Sequence, residues 1–234
     1  MIRPVIRQFD VVEWPMQSAR LIQGSINAVL FERGQCSVML TGGRSAERLY
    51  TAWAGLPAFL QMTGVQFYFG DERFVPPDHP ESNYGMAMRT LFNQGVPLGC
   101  SVFRMEADDP NHEAAALRYE VGLPDKVDVL LLGVGEDGHI ASLFPGSVVL
   151  KEVHRRVVSV TGPKPPHERL TITPPVIAQA RSVFVLATGA AKAQILVKAL
   201  QKAGDFDTIP ARLVLNATWL LDTPYFEAGN ERFA

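Results

Sequence analysis

The chain has 234 residues, with 22 Lys and Arg against 24 Asp and Glu, a formal net charge of −2 and no run of like charges, which excludes the electrostatic footprint of a nucleic-acid or membrane-surface binder. No stretch approaches the roughly 18 consecutive apolar residues of a membrane span, and the opening MIRPVIRQFDVVEW has no uninterrupted apolar core of a secretory leader. Cys36 and Cys100 make neither a metal-ligand spacing nor a disulfide framework, so a cytoplasmic protein that binds no metal is expected.

In chain order, the first clear strand is CSVMLT at 36–41, followed by a helix from Ser45 (SAERLYTAW). VQFYF at 65–69 is the second strand, and helices are predicted from Glu81 (ESNYGMAMRTLF) and Asn111 (NHEAAALRYEV). VDVLLL at 127–132 is nearly continuous in apolar residues, as strands buried on both faces are. RRVVSV at 155–160 and SVFVLA at 182–187 read as further strands, and TGPKPPHERLTITPP at 161–175 as a loop. The last helix is predicted over 190–202, where Ile195, Leu196, Ala199 and Leu200 share one face. Strands alternating with helices predict a doubly wound, Rossmann-like α/β fold. A mostly parallel sheet with helices on both faces would form a single domain over 1–234. In such sheets ligands bind beyond the carboxyl ends of the strands.

Those strand ends carry the chemistry. After the first comes Gly42-Gly43-Arg44-Ser45, which is either an anion-binding nest at a helix N-terminus or an ordinary turn with Ser45 as N-cap. After the second, Asp71, Glu72 and Arg73 emerge between Phe69 and Phe74, as a solvated ion pair or as the wall of a polar cleft. After the third, GVGEDGH spells G-x-G-x-x-G through Gly133, Gly135 and Gly138. A dinucleotide site would need a long helix next and an acid about 20 residues on. Pro145 interrupts the first, and Arg155 and Arg156 stand in place of the second, where two arginines would suit a 2′-phosphate. His139 with Asp137 two residues earlier suits general-base work near neutrality, or His139 caps a short helix. Lys164, His167 and Arg169 of the Pro-rich loop and Lys192 of the last helix add cations at the same sheet edge, the composition of a phosphate site.

LTGGRSAERLY, GDERFVPPDHPESNYGMAM, DVLLLGVGEDGHIASLFPGS, PKPPHERLTIT and ATGAAKAQIL, five ordered motifs across the chain, closely resemble the 6-phosphogluconolactonases, which share a superfamily with glucosamine-6-phosphate deaminases. The resemblance implies a doubly wound α/β enzyme without cofactor, acting as monomer or homodimer. Its substrate would be a small sugar-phosphate lactone, 6-phospho-D-glucono-1,5-lactone of the pentose phosphate pathway. It implies His139 as general base, supported by Asp137, and Arg73 as a substrate contact beside Asp71. Arg169 and Lys192 would be the phosphate cations, with the Gly42-Gly43-Ser45 loop and Arg44 completing the substrate set. Two departures stand out. The loop reads Arg44, Ser45, Ala46 where Ser-Thr-Pro is usual, and Ile140 replaces the Thr that commonly follows the His. A deaminase would carry Glu where Phe144 stands, and a sugar-phosphate sensor would carry an appended helix-turn-helix, absent from the residues before Cys36.

Overall fold

In a computed structural model, which describes residues 4–201 and 204–224, the chain folds as β1 (Val5–Gln8), α1 (Trp14–Arg33), β2 (Cys36–Leu40), α2 (Arg44–Ala54), α3 (Pro57–Leu60), β3 (Val65–Phe69), β4 (Asp71–Arg73), α4 (Asn83–Thr90), β5 (Ser101–Val102), α5 (His112–Gly122), β6 (Val129–Gly133), β7 (Val157–Thr161), β8 (Glu168–Ile172), α6 (Pro174–Gln179), β9 (Ser182–Ala187), α7 (Ala190–Leu200) and β10 (Thr218–Leu221). Seven strands form one sheet in the order β1-β10-β9-β6-β2-β3-β5, and every pairing in it is parallel. All five residues of β2 are buried, as are the first four of β6. Since neighbouring side chains point to opposite faces, both faces are covered.

The order reverses between β2 and β6: the chain runs outward from β2 through β3 to β5, then returns to build β6, β9 and β10 on the other side. Loops leaving β2 and β6 on the same edge therefore diverge and open a crevice, the place where doubly wound sheets hold ligands. Gly133 N, at the end of β6, donates to Thr41 Oγ1 just past β2 at 3.1 Å. Tyr50, fully buried in α2, locks the same turn, donating to the Thr41 carbonyl and accepting from its amide.

Several expectations are corrected. RRVVSV does not join the parallel sheet: β7 pairs antiparallel with β8, and β8 with β4, in a separate three-stranded sheet. The Pro-rich segment expected to be loop throughout thus contains β8. Its Arg169 lies opposite Arg73 in the ladder, which brings the two motifs together. Helix α4 begins at Asn83, with Ser82 as the N-cap whose hydroxyl accepts from Gly85 N at 3.0 Å, rather than at Glu81. The predicted 190–202 helix ends at Leu200, and residue 202 lies outside the described residues. No helix starts at His139 either, so its proposed capping role falls: Ile140 makes bridges to Val134 and Leu143, and the next helical turn, Val148–Lys151, is capped by Ser147.

Candidate active site

One cavity of about 320 Å³ opens at the switch point, lined by the turns after β2 and β6, by Asp71 and Arg73 of β4, and by Asn83, Lys164, Arg169 and Lys192. Of the site residues that the resemblance implied, only Ser45 stays behind the wall; Glu72 and His167, noted at the same strand ends, do not line the cavity either. Ser45 is buried within α2 rather than capping it, since Gly43 occupies the N-cap position. Its Oγ is 2.6 Å from Thr188 Oγ1 and accepts from Lys192 Nζ at 3.3 Å, so it braces the lysine from beneath.

The glycines of GVGEDG serve the histidine. A Cβ on Gly135 would fall 2.1 Å from His139 Nδ1 and 2.6 Å from Asp137 Oδ1, space those side chains already occupy. Gly138 takes φ +86°, a left-handed conformation natural to glycine, which lets Gly135 N reach the His139 carbonyl at 2.9 Å. The turn closes into a tight loop with His139 at its edge. Arg155 and Arg156, which would have suited a 2′-phosphate, are engaged elsewhere. Arg155 pairs with Glu113 and Glu120 at 2.6 and 2.7 Å, and Arg156 donates to the carbonyls of Leu123, Pro124 and Asp125.

His139 Nδ1 lies 2.5 Å from Asp137 Oδ1, whose oxygen also accepts from the His139 amide at 3.2 Å. Partial burial pulls the Asp137 pKa up, but the ring hydrogen bond, the charge of His139 and the backbone amides outweigh it and hold the acid at about 2. Asp137 is therefore an anion throughout the neutral range. Its folded pKa lies below the ordinary carboxylate value, so its stabilising contribution is present above that value and fades as pH falls toward 2. With Nδ1 donating to a fixed carboxylate, Nε2 is the nitrogen left to accept a proton. Asp137→Asn removes the charge that stabilises the imidazolium. kcat is therefore expected to fall, which steady-state kinetics of the two proteins would show, and an unchanged kcat would separate Asp137 from the histidine.

Asp71 is buried, and its Oδ2 accepts from Ser142 Oγ at 2.7 Å while Asn83 Nδ2 donates to Oδ1 at 3.2 Å. It does not hold Arg73. That guanidinium is held by Glu81, through the backbone carbonyl at 2.7 Å and the carboxylate at 3.2 Å, and its buried Nε has no partner. Glu72 faces inward and accepts from the amides of Arg73, Asn83 and Tyr84 and from Ser82 Oγ, so it anchors the start of α4.

The cations are crowded. Burial, and then the charge of Arg73, lower the Arg169 pKa; burial, and then Arg44, lower that of Lys192. Arg169 is 7% exposed and its Nε and Nη2 donate to the carbonyls of Pro166 and Lys164. A cavity rimmed by desolvated, mutually repelling cations is suited to a multiply charged anion, which relieves the repulsion. Sequence reasoning missed Asn83, which read as an ordinary residue of a helix start. Its Nδ2 donates to the Asp71 carbonyl at 2.9 Å, and its Oδ1 fills the space a Cβ on Gly42 would need, 1.9 Å away. Gly42 is thus glycine because the side chain of Asn83 packs against it.

The family model described as glucosamine-6-phosphate isomerases/6-phosphogluconolactonase matches residues 11–221. The chain is 40% identical to the 6-phosphogluconolactonase of Streptomyces coelicolor, over 88% of this chain and 86% of that protein. It is 36% identical to the 6-phosphogluconolactonase of Mycobacterium tuberculosis, over 88% and 90%. The solved structure of the Trypanosoma brucei 6-phosphogluconolactonase superposes with a TM-score of 0.82 at 31% identity, covering 94% of this chain and 97% of that one. The chain belongs to the glucosamine-6-phosphate isomerase/6-phosphogluconolactonase family.

Proposed function

We propose that this chain is a 6-phosphogluconolactonase, which hydrolyses 6-phospho-D-glucono-1,5-lactone to 6-phospho-D-gluconate in the pentose phosphate pathway. The observation that carries the reading is the His139–Asp137 pair at 2.5 Å in the same cavity as Arg44, Arg73, Arg169 and Lys192. Arg169 and Lys192 hold the phosphate with help from the Gly42-Gly43 amides and Arg44, which fixes the lactone carbonyl near His139. His139 Nε2 takes a proton from water as its oxygen attacks C1. The carbonyl electrons move to oxygen, where the Arg73 side chain or the amides of Gly42 and Gly43, on the cavity wall, receive the charge. Collapse breaks the C1–O5 bond, and the imidazolium returns its proton to O5. Asp71 is placed to meet a sugar hydroxyl. No step calls on a cofactor. The chain acts in this reading as a monomer or homodimer. The unit spans 1–234 as one catalytic domain.

The free thiols of Cys36 and Cys100 suit a cytoplasmic location; among the described residues no helix is long and apolar enough to cross a membrane. Cys36 is buried and its pKa is pushed up to about 12, chiefly by burial and then by Asp128, so it is unreactive.

The deaminase of the same family is disfavoured by Phe144. Its ring lies beside His139 with centroids 4.9 Å apart, a position from which it transfers no proton. Purified protein is expected to release acid from freshly made lactone and no ammonia above background from glucosamine 6-phosphate. Ammonia release with an inert lactone would reverse the assignment.

A further inference from the structure

Phe144 touches both halves of the site without lining the cavity. Its ring is tilted 47° to the imidazole of His139 at 4.9 Å, while Cζ of Arg169 sits 5.6 Å from its centroid. The guanidinium of Arg169 and the imidazole of His139 come from different sheet systems, β8 and the turn after β6, and this ring contacts both. Behind it lies Gly162, just past β7. A methyl group added there would come within 3.0 Å of Phe144 Cε2 and Cζ and 3.1 Å of Arg169 Nε. Gly162 is itself held, its amide donating to the His167 carbonyl at 2.6 Å, and His167 Nδ1 lies 2.8 Å from the Gly162 carbonyl. The two bonds close the turn between β7 and β8, so Gly162 cannot move away from Phe144 without taking His167 with it or breaking them.

We infer that Phe144 is a positioning residue that sets the distance between the phosphate cation and the general base, and that Gly162 is glycine because any side chain there would displace Phe144 and Arg169 together. The inference rests on the lactonase reading of the site. A substrate that carries phosphate at one end and the reacting carbonyl at the other requires the two groups to stand at a fixed separation. The hydrogen bonds of Arg169 run to the carbonyls of Pro166 and Lys164, and that of His139 to Asp137, so neither residue bonds directly to the other. The aromatic ring between them supplies the common reference. It also presents a π-face to the guanidinium, which a desolvated cation favours.

The test is steady-state kinetics on the lactone, with calorimetric titration of inorganic phosphate, for wild type, F144L, F144M, G162A, R169A and F144L/R169A. F144L and F144M keep an apolar side chain of comparable bulk and remove the π-face. They are expected to raise KM, and the phosphate Kd by the same factor, about three- to tenfold. They should also lower kcat about ten- to a hundredfold through misplacement of the base. G162A, from outside the cavity, should move all three quantities in the same directions with its melting temperature retained. In the R169A background F144L should leave KM where R169A put it and still lower kcat. The inference is overturned if F144L and F144M change kcat alone or KM alone, if the KM effects of F144L and R169A multiply, or if G162A behaves as wild type. Should F144L not fold, F144M and G162A carry the same decision. An inactive wild type would instead sink the lactonase reading, while the phosphate titrations would still show whether Phe144 acts through Arg169.

Discussion

His139→Asn is expected to lower kcat by about 10²–10⁴-fold, the usual contribution of a positioned general base, while KM changes little. Asparagine preserves the approximate shape and a hydrogen bond toward Asp137 but accepts no proton near neutrality. The wild-type kcat/KM should rise with pH as the imidazolium gives up its proton, and the variant should lose that limb. The wild-type imidazole fills the space that a Cβ on Gly135 would need and is tied to Asp137, which fixes its position. Lactones also open unaided, faster in alkali, and rates are to be corrected for the uncatalysed reaction at each pH. A variant that kept most of kcat and the same limb would make His139 structural. Attention would then pass to Asp71, the buried carboxylate on the cavity wall.

The second large effect falls on KM. Removing a desolvated, charge-assisted contact costs about 1.5–3 kcal/mol, so Arg169→Ala and Lys192→Met should each raise KM about 10- to 150-fold. Their effects on stability should diverge. Lys192 is penalised in the unliganded fold by burial and by Arg44, so Lys192→Met, which keeps the apolar stem, should hold or raise the melting temperature. Arg169→Ala strips the carbonyls of Pro166 and Lys164 of a donor and Phe144 of its cation, and should lower it. Phosphate should raise the melting temperature of the wild type and do so much less in either variant. If both variants kept the wild-type KM, or if a lactone lacking phosphate were hydrolysed equally well, these cations would not be the phosphate site.

The central strands were legible because β6 is a continuous apolar run that only a sheet covered on both faces can hide, and β2, β3 and β9 each carry a single polar residue among apolar ones. β1 at the edge and β10 beside it were not: β1 has four residues, VIRQ, largely exposed, with no alternation to reveal it. Helix α1 escaped for a related reason. Its buried stripe of Trp14, Ser18, Ile22 and Ile26 includes a serine, and the buried Gln23 beside it is satisfied by Trp53 Nε1 at 2.8 Å, while Phe31 stands almost fully exposed. The smaller sheet was hidden because β4 is three charged residues and β8 lies inside a proline-rich run. At the site, residues carrying charge announced themselves, and the supporting ones did not. Asn83 and Gly162 matter for what they touch across the fold, and the sequence around them carries no trace of Gly42 or Phe144.

Strand order has a consequence for how the protein is made. β1 is made before every other strand described, yet its sole neighbour among the described residues is β10, with Val5 paired to Thr218. At about 5–20 residues per second the interval is roughly 10–40 s, during which β1 has no partner strand. β2 and β3 meet early, and β6 joins them later, leaving its far edge bare until β9 is translated. A nascent chain halted before residue 182 would hold the glycine turns and the His139 loop but lack the strand that closes β6 and the helix that brings Lys192. It would present an open parallel edge of buried-type residues to chaperones and to its neighbours on the same message.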